Sequence, residues 1–191
     1  MKAYVSRLLR ALAACFDIHM NAQLSPKFDL SRLSFRSNVR YSDLITVGKL
    51  VRSSGYFSEI EIETAVELVE EALLDGQFSP YLFLFAEFGQ TLVGYCCFGQ
   101  IPLTLSSYDV YWIAVDEDWR SRSIGSEIMR RTEEEIVRLG GSRIYVDTSG
   151  RAQYAPTRKF YEARGYLREA VLKDFYAPGD DKLIYCRTIQ P

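Results

Sequence analysis

The 191-residue chain predicts a mixed α/β domain. Its central sheet should be mostly antiparallel, with six to seven strands and helices on both faces. Three observations lead there. Two apolar runs, Tyr81 to Phe88 and Thr91 to Gln100, flank a Gly89-Gln90 turn and read as a hairpin. From Tyr108 onward, β-type and helical patterns alternate almost to the C-terminus, which calls for a sheet with helices packed on it. Between them, Trp112 to Glu127 runs from an apolar strand through a small-residue turn into a helix.

The elements follow in order. Residues 1–32 form an extension in which Val5, Leu8, Leu9, Leu12 and Phe16 recur at helical spacing. The main domain, 33–191, opens with the alternating strand Leu33-Ser-Phe-Arg-Ser. Tyr41 to Ser53 reads as a helix, and Glu59 to Leu74 as a second one with an acidic outer face. The hairpin follows, then a strand over Tyr108–Val115 and a helix from about Ser123 to Leu139. Gly140-Gly141 turns the chain into a strand over Arg143–Thr148. A helix over about Ala155–Arg164, a strand over Tyr166–Lys173 and a strand over Lys182–Thr188 complete the pattern. Within the hairpin, Cys96 and Cys97 should point to opposite faces of the sheet.

Bulk properties exclude several classes. A net charge of −2 gives no basic excess, so nucleic acid is not an expected partner. Four cysteines without metal-ligand spacing and a single histidine, His19, supply no metal site. The cysteines read as reduced thiols of a cytoplasmic protein. Leu12-Ala-Ala-Cys15 looks like a lipoprotein cleavage box, but Arg10 leaves too short an apolar stretch before it for a signal segment. No run approaches the ~20 apolar residues of a membrane span.

The chemistry starts at Arg120-Ser-Arg-Ser-Ile-Gly125. A strand that turns into a helix leaves unpaired N–H groups at the positive end of the helix dipole, which favours a phosphate. No Gly-Lys-Ser/Thr follows, so this is not a Walker loop, and three glycines of the dinucleotide fingerprint are missing.

This turn and the segment Ala155-Pro-Thr-Arg-Lys-Phe160-Tyr161-Glu-Ala-Arg-Gly165-Tyr166 together resemble the GCN5-related N-acetyltransferase (GNAT) superfamily over roughly residues 33–188. In that family the cofactor turn follows Gln/Arg-x-x-Gly-x-Gly/Ala, and Ser123 stands here at its first glycine. Serine costs little there if the backbone is helical, when its hydroxyl can cap the helix or meet a phosphate. It is a handicap if φ is positive.

The resemblance implies acetyl-CoA as co-substrate, held in a cleft where the fourth and fifth strands splay apart. Ile113, Ala114 and Val115 would carry a bulge and pair with the pantetheine arm, and the Val115 region would supply an N–H to the thioester oxygen. Backbone N–H groups of Arg122, Ser123, Ile124, Gly125 and Ser126 would hold the pyrophosphate, with Arg120 and Arg122 adding charge. Tyr161 would sit beside the leaving sulfur. An acceptor amine with pKa ~8 to ~10.4 is mostly ammonium at neutral pH, so a base must take a proton. Asp109 is the first candidate for base or amine anchor, and Asp147, closing the next strand, is the second.

The tail Lys173 to Tyr185, with Phe175, Tyr176, Asp180 and Asp181, and the loop between the first two helices would shape the acceptor pocket, with Tyr176 and Asp147 as substrate contacts. It also resembles the tail of ribosomal-protein N-terminal acetyltransferases. That resemblance makes a protein N-terminus the alternative to the expected small-molecule amine, with a non-catalytic acyl-CoA-binding module behind both. A homodimer through an edge strand stays open.

Overall fold

The computed structural model describes residues 28–189. The expected N-terminal helix lies outside the described residues. The elements are β1 (Leu33–Arg36), α1 (Asp43–Ser53), α2 (Glu59–Asp75), β2 (Leu82–Phe88), β3 (Thr91–Gln100), β4 (Ser107–Val115), α3 (Ile124–Arg138), β5 (Arg143–Ser149), α4 (Ala155–Ala163), β6 (Leu167–Ala177) and β7 (Asp180–Thr188). They form one seven-stranded sheet of order β1-β2-β3-β4-β5-β7-β6. Every neighbouring pair is antiparallel except β4 with β5.

Local sequence explains the helix boundaries. Ser58 and Glu61 close a capping box at the start of α2, and Gly76 at φ +54° ends it. Glu127 on α3 accepts from Arg130 and Arg131, so its carboxyl titrates down to about 2. Arg36 of β1 makes a two-pronged bond to Asp43, the first residue of α1, at 2.9 and 2.6 Å, and its Nε reaches Glu87 of β2 at 2.8 Å. Asp43 is 1% exposed, so this pair is a buried staple between the first strand and the first helix.

The sheet separates two cores. On one face α1 and α2 cover Phe83, Phe85, Tyr95 and Cys97. On the other, α3 and α4 cover Cys96, Phe98, Val110, Ile144, Val146 and Tyr185. The two cysteines do point to opposite faces. Phe28 joins the second core, meeting the rings of Phe88 at 6.0 Å and Trp119 at 5.7 Å. β6 is the outer strand and runs on to Ala177 rather than stopping near Lys173, because the aromatic segment continues the hairpin to β7.

Two irregularities place the site. β3 pairs Cys97 with Trp112 but Phe98 with Val110, which leaves Tyr111 as the extra residue of a bulge. The bulge thus falls just before Ile113, not within Ile113–Val115 as expected. β4 pairs with β5 only from Ser107↔Arg143 to Val110↔Val146. Beyond the bulge, Trp112 to Val115 have no partner on the β5 side, and the two parallel strands splay.

Candidate active site

A cleft of about 700 Å³ opens at the splay. Its floor is Val110 to Val115 of β4. Asp147, Thr148 and Ser149 of β5 stand opposite, Tyr56 and Phe57 of the α1–α2 connection form one wall, and Tyr176, Ala177 and Asp180 of the β6–β7 hairpin form the other. Tyr154, Thr157 and Tyr161 reach in from α4 and the turn before it.

The turn into α3 carries the anion-binding chemistry. Glu127 is the first helix residue whose N–H finds a backbone acceptor, the Ser123 carbonyl at 3.0 Å. The N–H groups from Ser121 to Ser126 bond to no protein acceptor among the described residues, and no side chain caps the helix. A row of unsatisfied donors at the positive end of a 15-residue helix suits a pyrophosphate. Ser123 sits at φ +63°, ψ +11°, and Ser121 at φ +61°. Left-handed residues in a turn aim successive N–H groups into one concavity. Ser123 is therefore in the handicapped conformation, and its hydroxyl does not cap the helix. Gly125 has a negative φ, and its missing Cβ faces Val115 and Phe160 at ordinary contact distances of 3.5 and 3.8 Å.

The two arginines of the turn lie against aromatic rings. Arg120 Nη2 donates to the Ser54 carbonyl at 2.5 Å, and its guanidinium lies 5.1 Å from the centre of the Tyr56 ring. Arg122 lies over Trp119 at 4.7 Å and near Phe28 at 5.8 Å. Both are held by aromatic faces on the flanks of the turn.

Tyr161 lines the cleft, is 4% exposed, and packs against the rings of Phe160, Tyr166 and Tyr185 at 5.5, 5.7 and 6.2 Å. Its hydroxyl bonds to no protein group among the described residues. Burial foremost, with the neighbouring Cys96 and Asp147 adding to it, pushes the phenol well above its ordinary value, so it stays protonated at any physiological pH.

The carboxylates divide. Asp147 lines the cleft and pairs with Lys182, whose ammonium lies 5.0 Å from the centre of the Phe175 ring. Asp109 is half-buried on β4, opposite Tyr145 and outside the cleft lining. Burial first and Asp147 second push its carboxyl up. Tyr111, in the bulge beside it, is pushed up to about 12 by burial and by the Asp109 charge. Asp180 is buried and already engaged, by Ser149 Oγ at 2.5 Å and Arg151 Nε at 2.9 Å. Tyr176 is half-exposed on the hairpin wall, pushed up to about 12 by burial and then by Asp147.

The structure thus gathers Ile113, Ala114, Val115, Arg120, Asp147, Tyr161 and Tyr176 around one cleft, with the Arg122–Ser126 turn at its end and Asp109 beside Asp147. The sequence reading named none of Tyr56, Phe57, Trp112, Arg151 and Tyr154, although the loop that carries Tyr56 and Phe57 was expected to shape the pocket. Only Tyr154, an aromatic directly before Ala155-Pro156 at a helix start, carried a local signal.

A mixed sheet splayed between its parallel strands, with an uncapped helix start at the end of the splay, is the architecture of an acyltransferase. The chain belongs to the GNAT acetyltransferase family, whose model matches residues 52–166. A GNAT-family protein from Desulfovibrio desulfuricans is 39% identical, with a TM-score of 0.81, and the match covers 83% of this chain and 99% of that one. The ribosomal-protein-S18-alanine N-acetyltransferase of Escherichia coli (16% identity, TM-score 0.66, 83% and 95% covered) shares the fold. So does an aminoglycoside 6'-N-acetyltransferase solved with coenzyme A (19% identity, TM-score 0.66, 83% and 97% covered). No curated protein matches the chain in sequence. No helix among the described residues is long and apolar enough to cross a membrane.

Proposed function

We propose that this protein transfers an acetyl group from acetyl-CoA directly to a primary amine, foremost that of a small molecule. The observation that carries this reading is the end of the β4–β5 ladder at Val110↔Val146. It leaves an unpaired strand edge leading from Tyr161 to the free N–H groups of the α3 turn. That edge fits the amide-bearing pantetheine arm, and the turn fits the pyrophosphate. Backbone N–H groups of Arg122, Ser123, Ile124, Gly125 and Ser126 hold the phosphates, and Ile113, Ala114 and Val115 hold the arm.

Charge develops on the thioester oxygen as the amine adds, and an N–H aimed there from the Val115 region lowers the barrier by ~3 kcal/mol. Asp147 anchors the incoming ammonium among Tyr176 and the other cleft aromatics. Asp109, one strand over, accepts its proton through water. Tyr161 steadies the departing thiolate by hydrogen bonding and protonates it late, because a phenol with a raised pKa gives up its proton unwillingly. Buried free thiols at Cys96, Cys97 and Cys186 support a cytoplasmic setting.

Thiol release from acetyl-CoA, measured with spermidine, kanamycin A and the dipeptide Ala-Phe, tests the reading and its alternative. Amine-dependent release with spermidine or kanamycin A supports a small-molecule acceptor. Release with the dipeptide alone moves the acceptor to a peptide N-terminus, and no release with any of them counts against transfer. With the amine so found, Tyr161→Phe should lower turnover at least ~10-fold while acetyl-CoA affinity holds. Unchanged turnover would remove Tyr161 from the chemistry.

A further inference from the structure

We propose that Arg120 is a positioning residue that couples the phosphate turn to the wall of the acceptor pocket, so that binding acetyl-CoA sets that wall. The inference rests on the acetyl-CoA reading and adds to it.

Arg120 opens the turn, where a guanidinium would ordinarily be assigned to phosphate. Its bonds point elsewhere. Nη2 donates to the Ser54 carbonyl, and the guanidinium lies over the Tyr56 ring. Ser54 is the C-cap of α1, where carbonyls lack helical partners and carry the negative end of the dipole. A fixed cation suits that position. A second tie runs alongside. Asp116, which opens the short 3-10 turn leading to Arg120, accepts from Ser53 Oγ at 3.0 Å. The segment Asp116–Arg120 is thus fastened at two points to the end of α1.

Past Ser54 the chain bends at Gly55, φ +69°, into Tyr56 and Phe57, which line the cleft. The Tyr56 carbonyl accepts from Tyr154 Oη at 3.0 Å, and the two rings lie 6.0 Å apart. Tyr154 is the N-cap of α4, the helix that carries Tyr161. A continuous set of bonds therefore runs from the phosphate turn through Arg120 to the acceptor wall and on to the catalytic helix. The turn at its origin holds Ser121 and Ser123 in a conformation that non-glycine residues adopt at a cost. An anion on the N–H groups stabilises that conformation, fixes the Arg120 backbone, and with it the Ser54–Phe57 wall. Linkage makes the effect mutual, since an acceptor that needs the set wall strengthens acetyl-CoA binding by the same factor.

Hydrogen exchange on the full chain, with acetyl-CoA as the probe, tests this. In the wild type, saturating acetyl-CoA should slow amides at 122–126 and, at a distance, those at 55–58 by at least ~5-fold. In Arg120→Ala the slowing at 122–126 should persist with acetyl-CoA affinity within about threefold of wild type, while the slowing at 55–58 is lost. With whichever of the three panel amines the wild type acetylates, the same variant should raise the amine KM at least ~5-fold and leave kcat nearly unchanged.

Three results overturn the proposal. One is a loss of acetyl-CoA affinity beyond ~10-fold in Arg120→Ala, which makes Arg120 a phosphate ligand. Another is unmoved exchange at 55–58 in the wild type. The third is slowing at 55–58 that survives the substitution. A wild type that binds no acetyl-CoA fails earlier, before any variant is made, and takes the functional reading with it. Should Arg120→Ala not fold, Ser53→Ala cuts the second tie with Arg120 in place. It should lower the acetyl-CoA-linked slowing at 55–58 at least ~2-fold, and no change there counts against the coupling.

Discussion

Single residues beside this cleft trade stability for chemistry, and the trade can be measured. Asp109 is half-buried beside a second carboxylate, and its pKa stands above its unfolded value. Such a group favours the fold only while protonated. That contribution is complete below the unfolded pKa of ~3.9 and is lost as pH rises through the folded value. At neutral pH the charged carboxylate therefore strains the fold. Asp109→Asn should melt at a higher temperature than wild type at pH 7, with the gain vanishing toward pH 4, while its turnover drops at least ~10-fold. Equal melting temperatures at pH 7, or undiminished turnover, would argue that Asp109 is an ordinary strand-end carboxylate. Ser123 shows a second residue-scale cost, a left-handed backbone at φ +63° with no cap in return. Ser123→Gly removes the Cβ penalty and gives back part of it as backbone entropy. The net gain should be roughly 0.5–1 kcal/mol, about 2 °C in a scan, with acetyl-CoA affinity kept. A lower melting temperature would mean that the hydroxyl contributes after all.

At the scale of elements, the site is made by what β4 fails to pair. The bulge at Tyr111 needs room, and Gly99 of β3, opposite Asp109, provides it. A Cβ at Gly99 would lie 2.4 Å from the Pro80 carbonyl oxygen and 3.2 Å from the Tyr111 ring. Gly99→Ala should cost about 1–3 kcal/mol and, by shifting the strand that carries Trp112 to Val115, weaken acetyl-CoA binding as well. A denaturant midpoint close to wild type would show that Pro80 yields freely. The example explains what could be read ahead of the structure. Strand and helix order, the opposed cysteines and the phosphate turn follow from period and local turn chemistry, which a sequence carries directly. The bulge two residues early, the particular aromatics Tyr56 and Tyr154, and the diversion of Arg120 to Ser54 all depend on contacts between segments distant in sequence. Nothing in the order Arg-Ser-Arg-Ser says which arginine will face a helix end. The left-handed state of Ser123 was legible only as a conditional, because φ is set by how the strand enters the helix.

At the scale of the molecule, the sheet divides two cores, and the cleft lies where their shared floor parts. α1 and α2 pack on one face, α3 and α4 on the other. Past Val110 no β4–β5 ladder joins the halves of the sheet. A ligand that fills the splay and also satisfies the α3 turn replaces the missing ladder, so it should stabilise the whole domain rather than a loop. Binding to the folded state alone contributes RT ln(1 + [L]/Kd), about 2.7 kcal/mol at a hundredfold excess over Kd. For a domain of this length that is a rise of about 5–10 °C in Tm. Acetyl-CoA and free CoA should both produce it, because both carry the pantetheine arm and the pyrophosphate. ATP carries phosphates without the arm and should not. A rise with ATP equal to that with CoA would mean that the turn alone accounts for binding and the unpaired strand edge contributes nothing. No rise with either CoA species would show that two left-handed serines are too high a cost for this turn to hold its anion.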